Sequence, residues 1–151
     1  MRIFALIATV LALSVASFSF ASAQEKSPVY LMPGSDVAVG GYDAVSFFDG
    51  DAQRGDSGFT ARYNGATWHF ISAENRDRFM ADPASFAPQY GGYCAWAVSE
   101  GYLAKGDPRY AQIVAGKLYL NFNMNIQAKW SRDIPGHIAR ANENWPAVLE
   151  R

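Results

Sequence analysis

Paired thiols are what this chain lacks. It has 151 residues and one cysteine, Cys94. An internal disulfide is therefore excluded, and so is a Cys-x-x-Cys redox or zinc motif. Histidine is almost as scarce. Only His69 and His137 occur, and no His-x-His or HExxH spacing accompanies them. A Walker-type phosphate loop and a G-x-S-x-G nucleophile elbow are also missing. Neither sign of charge dominates, with 13 Lys and Arg against 14 Asp and Glu. A sequence-independent nucleic-acid binder needs a basic face, and this composition does not provide one.

Against that background the first residues stand out. Arg2 is a short positive region, and Ile3 to Phe20 form an apolar stretch interrupted only by Thr and Ser. Ala21-Ser22-Ala23 then matches the small-residue cleavage pattern of a secretory signal. Residues 1–23 are expected to be removed, leaving Gln24 as the new N-terminus and no stable membrane anchor. The mature protein is expected to be exported, periplasmic or secreted. A lone thiol in such a compartment is either a small apolar core residue or a thiol kept free for a purpose.

The remainder fits one domain. Residues 24–36 read as an N-terminal arm packing through Val29, Tyr30, Leu31 and Met32, and Val37 to Phe48 as an extended, glycine-interrupted segment. Asn64-Gly65 predicts a two-residue hairpin turn, because both positions of a type I′ turn need positive φ. The implied register sets Tyr63 opposite Ala66, Ala61 opposite Trp68 and Phe59 opposite Phe70. All six then share an apolar face, with Thr60, Arg62, Thr67 and His69 on the other.

Ser72 is placed to cap a helix that ends near Asp82-Pro83. Asp82 is placed to start a further short turn with Pro83 at its first position. Tyr93 to Glu100 reads as a helix closed by Gly101. A second hairpin is expected at Tyr110–Val114 and Lys117–Phe122, with Ala111, Ile113, Leu118 and Leu120 facing the core. Ala115-Gly116 is a weaker turn than Asn-Gly and leaves room for a bulge. Ile126 and Trp130, then Ile134, Ile138, Ala141 and Trp145, line helical stripes, with Asp133 as a cap and His137 at the edge. Hairpins and helices in separate runs predict an α+β fold, a small single domain with two β-hairpins and several short helices.

The run Tyr63-Asn64-Gly65-Ala66-Thr67-Trp68-His69-Phe70-Ile71-Ser72, followed by Phe79-Met80-Ala81-Asp82-Pro83-Ala84-Ser85-Phe86, resembles a YHS domain. Gly40-Gly41-Tyr42-Asp43-Ala44-Val45 resembles the segment ahead of it. Tyr90-Gly91-Gly92-Tyr93-Cys94-Ala95 and Gly116-Lys117-Leu118-Tyr119-Leu120-Asn121 resemble the exported branch, the YHS domain-containing (seleno)proteins. The likeness covers most of residues 37–148. Metal-associated YHS domains carry thiols where this chain has Ser46 and Ile71, so their usual metal site does not transfer. The seleno branch implies a functional chalcogen, which here corresponds to Cys94.

Cys94 follows two glycines in what reads as the first turn of a helix, where a thiolate is stabilised. Tyr90, Gly91, Gly92, Tyr93 and Trp96 are the candidate walls of a binding site around it. The candidate metal ligands are Cys94 and His69, although a histidine on a polar strand face is more often simply solvated. Asp43, Asp82 and Asp107 lie at turns, and capping accounts for the latter two. By analogy with the family, the leading expectation is a binding module rather than a turnover enzyme. It would handle a soft transition metal, copper first, through one thiol. The alternatives are a redox protein in which Cys94 works with a thiol supplied by a partner protein, and a structural or ligand-binding domain with an inert Cys94.

Overall fold

The computed structural model describes residues 26–151, so residues 1–23, expected to be a secretory signal, lie outside the described residues. The elements run β1 (Asp56–Tyr63), β2 (Ala66–Phe70), α1 (Ala73–Ala81), α2 (Pro83–Phe86), α3 (Ala95–Ser99), β3 (Asp107–Val114), β4 (Lys117–Asn121), α4 (Met124–Trp130) and α5 (Ile134–Asn144). Short 3-10 turns sit at Val39–Gly41, Gln89–Gly92 and Ala147–Glu150. The result is a small α+β domain built on two antiparallel hairpins, as the pattern of separate runs predicts.

The first hairpin turns on Asn64 (φ 49°) and Gly65 (φ 77°), the geometry its sequence requires. Tyr63 pairs with Ala66 and Ala61 with Trp68, as expected. The expected Phe59–Phe70 pair does not form. The register shifts between Asp56 and Thr60, and Phe70 pairs with Asp56 instead. Asp56 Oδ1 accepts from the Gly58 N–H at 2.6 Å, and this local turn takes up the extra residues.

Val37 to Phe48 is not extended. Val39, Gly40 and Gly41 all have positive φ, and the chain folds into consecutive turns. Asp43 organises them and is fully buried. Its Oδ1 accepts from Val45 N at 2.8 Å, and its Oδ2 from Ile71 N at 2.9 Å and Asn75 Nδ2 at 2.7 Å. One carboxylate thereby joins the turns, the end of β2 and the start of α1. A buried charge is tolerated when it accepts this many bonds. Ser72 caps α1, accepting from Asn75 N at 3.1 Å.

In the second hairpin, Ala111 pairs with Leu120 and Ile113 with Leu118, with a register shift between Asp107 and Ala111. Leu118 and Leu120 are buried, but Ile113 is 38% exposed, contrary to its expected place on the core face. Asp107 does not cap a helix. It anchors the irregular start of β3, accepting from Arg109 N at 3.0 Å.

Strand β4 is buried on both faces. Leu118 and Leu120 join a core with Val45, Trp68, Phe70 and Phe79, whose rings pack at 4.8 Å (Trp68–Phe79) and 5.2 Å (Phe70–Phe79). Tyr119 faces a second core with Tyr90, Tyr93, Val98, Trp130 and Ala141. Asp133 caps α5, accepting from Gly136 N at 3.0 Å. His137 is not an edge residue. It is buried, stacks on Trp130 at 5.6 Å, and its Nδ1 lies 2.9 Å from Ser99 Oγ and 2.8 Å from Arg140 Nη2.

Candidate functional site

The helix expected from Tyr93 begins two residues later, at Ala95. Tyr93 and Cys94 are instead drawn into bridges with Lys105 and Leu120. Cys94 therefore stands just ahead of a helix of 5 residues, fully buried against β4. Its Sγ lies 3.8 Å from Asn121 Oδ1, which also accepts from Trp96 N at 3.4 Å. A carbonyl oxygen facing sulfur favours S–H over thiolate, because it can only accept. Burial pushes the thiol pKa above its ordinary value, and backbone N–H groups of Ala97, Phe122 and Trp96 only partly oppose this. The expected low-pKa thiolate is thus corrected to a protonated buried thiol.

Cys94 forms part of the lining of a pocket of about 310 Å³, with Trp96, Ala97, Tyr102, Ala104, Phe122, Asn123 and Ile126. The lining is mostly apolar and aromatic. Trp96 and Tyr102 meet edge to face at 6.3 Å, and Lys129 Nζ sits 5.1 Å from the Trp96 ring centroid. Asn121 lies behind the thiol, fully buried, and among the described residues its Nδ2 has no hydrogen-bond partner. Such an orphan donor costs about 1–3 kcal/mol.

Of the five candidate wall residues, only Trp96 lines this pocket. Tyr90 and Tyr93 turn the other way, into the second core. The Tyr90 hydroxyl donates to Asn142 Oδ1 at 2.9 Å, and Tyr93 donates to the Ser27 carbonyl at 2.9 Å. Gly91 (φ 61°) accepts from Tyr30 N at 2.9 Å, and a Cβ there would collide with the Pro28 carbonyl. Gly92 packs against Gly106, where a Cβ would strike the Gly92 carbonyl. The Tyr90–Tyr93 stretch therefore binds the chain's own arm. Val29 is buried in the first core, while Met32 is 50% exposed and does not pack as expected.

His69 is half-buried on β2, paired with Thr60, and does not line the Cys94 pocket. Among the described residues no group of three or more His, Cys, Asp and Glu side chains is arranged to hold a metal ion. The structure places one side-chain amide oxygen, Asn121 Oδ1, at the Cys94 thiol, and a single thiol with a hard oxygen neighbour does not fit a soft-metal centre. The Ser99–His137 pair escaped sequence reasoning because its members lie 38 positions apart. Ser99 Oγ also lies 2.6 Å from the Trp96 carbonyl, a bond within its own helix, so the pair reads as a core polar link.

Comparison with models of known families, with curated proteins and with solved structures gives no match in any of the three.

Proposed function

We propose that the chain is an exported, YHS-type binding module rather than a turnover enzyme, and that the pocket beside Cys94 is where it binds. The ligand class is a small, largely apolar or aromatic molecule. The observation that carries this is a fully buried thiol in the lining of an aromatic pocket of about 310 Å³, at the small end of ligand cavities. Cys94 acts there as a soft apolar contact. A nucleophile or a metal ligand needs the thiolate, which burial and the Asn121 carbonyl oppose.

The test is titration of the mature protein with indole as a model ligand, followed through the Trp96 and Tyr102 ring signals by NMR. Saturable shifts confined to the pocket, abolished by Ala104→Leu, support this reading. Two other outcomes would replace it. One equivalent of Cu(I) that protects Cys94 from alkylation and is lost in Cys94→Ser would establish copper handling. A dimedone-trappable product after peroxide would establish the redox reading. In that step the thiolate attacks the peroxide, the O–O bond breaks, water leaves and a sulfenate remains; a partner's thiol then condenses with it, releasing water, and a second thiol reduces the mixed disulfide.

A further inference from the structure

A second cleft, about 310 Å³ in volume, opens where the arm, the Val39–Gly41 turn and the start of β3 meet. Tyr30, Tyr42 and Pro108 line it together with three cationic side chains, Arg54, Lys105 and Arg109. The only carboxylate in the lining, Asp107, is already engaged. Arg109 Nε and Nη2 donate to it at 3.0 and 2.7 Å, holding its pKa below the usual carboxylate range. Among the described residues no carboxylate lies within ion-pair distance of Arg54 or Lys105.

The backbone anchors both residues. Arg54 pairs with Tyr42 across an isolated bridge, and its Nη1 donates to the Gly40 carbonyl at 3.2 Å. Its guanidinium lies 4.9 Å from the Tyr42 ring centroid. The Lys105 main chain is held through a bridge to Tyr93, while its exposed side chain places the ammonium 5.2 Å from the ring centroid of Phe122, at the border with the Cys94 pocket. Next to it Gly106 is buried against Gly92, where no side chain fits. The cleft therefore carries two uncompensated positive charges on a braced frame, beside two tyrosine rings.

We propose that this cleft is a binding site for an aryl phosphate monoester. Its phosphate would sit among Arg54, Lys105 and the free Nη1 of Arg109, and its ring on Tyr30 and Tyr42. Three cationic side chains in one lining supply more donors than a flat carboxylate uses, and suit a tetrahedral group with three acceptor oxygens. Two unneutralised cations match the charge of about −2 that a phosphomonoester carries above its second pKa of about 6. The aromatic body is matched by the tyrosine faces.

Isothermal titration of the mature protein with phenyl phosphate and with inorganic phosphate, at pH 7.5 and low salt, tests the assignment. Phenyl phosphate is expected to bind saturably at one site, at least about threefold tighter than inorganic phosphate, the gain one aromatic contact supplies. Arg54→Gln and Lys105→Gln should each weaken it about tenfold, as loss of a charged hydrogen bond does. Lys117→Gln, at the start of β4, should leave it unchanged. Tyr42→Leu should narrow the gap between phenyl phosphate and inorganic phosphate. Both charge variants remove exposed side chains, and their unchanged melting temperatures would show that the fold persists. Absence of saturable binding, equal affinity for the two ligands, or undiminished binding in both charge variants would overturn the proposal.

Discussion

Cys94 Sγ faces Asn121 Oδ1 across 3.8 Å, so the thiol's neighbour is an acceptor that a thiolate would repel. Burial raises the thiol pKa further. At pH 7 the folded protein should therefore alkylate more slowly than the same chain in denaturant. Iodoacetamide rates with and without urea measure this. Faster reaction in the fold would mean that the thiol is exposed and ionised.

The same shift has a stability consequence. An acid whose folded pKa lies above its unfolded value contributes stability in full below the unfolded pKa, and that contribution fades as pH rises through the folded one. The Cys94 contribution should thus decline above the ordinary thiol range of about 8.5. Denaturant melts from pH 7 to 10 should show a steeper alkaline loss for the wild type than for Cys94→Ala.

Trp68 is buried, donates from Nε1 to the Tyr63 carbonyl at 3.0 Å and packs on Phe79. Trp68→Ala should cost about 3–5 kcal/mol in denaturant melts. Thr67 points away from that core, but its Oγ1 donates to Asp36 Oδ2 at 2.7 Å and accepts from Arg62 at 2.8 Å. Thr67→Ala should therefore cost more than an open surface change, yet far less than Trp68→Ala.

Asp43→Asn replaces an acceptor with an amide donor where Ile71 N or Asn75 Nδ2 needs a partner. A loss of at least about 2 kcal/mol is expected, because hydrogen bonds to a buried charge are among the stronger ones. Gly91→Ala should act differently. It places a Cβ against the Pro28 carbonyl at a positive φ, and should free residues 26–31. Hydrogen exchange at the Tyr30 amide, which donates to Gly91, would report that release directly.

The Ala21-Ser22-Ala23 pattern predicts cleavage after Ala23 and a mature protein beginning at Gln24 in a soluble extracytoplasmic fraction. Intact-mass spectrometry of fractionated cells checks it. A membrane-bound species retaining residues 1–23 would indicate an anchored protein instead.

What the sequence made legible was local. Asn64-Gly65, the Ser72 cap and the Asp133 cap each satisfy backbone groups within a few residues, and all three stand where expected. The Phe59–Phe70 pairing failed to a local turn at Asp56–Gly58, but the failures around the candidate site come from competition by distant chain. The stretch Tyr93–Cys94 matches a helix start, but Lys105 and Leu120 claim it for bridges. Gly91 and Tyr93 look like the walls of a site, but the arm occupies them, an arrangement set by contacts about 60 residues apart, beyond the reach of local rules. Asp43 was visible as a turn residue. That its Oδ2 reaches Asn75, 32 positions on, was not.

Strand β4 separates two aromatic clusters while belonging to both, through Leu118 and Leu120 on one side and Tyr119 on the other. Neither half of the molecule can melt without exposing the partition it shares with its neighbour. The protein should consequently unfold in a single cooperative transition, and the amides of β4 should exchange with solvent only when the entire domain opens.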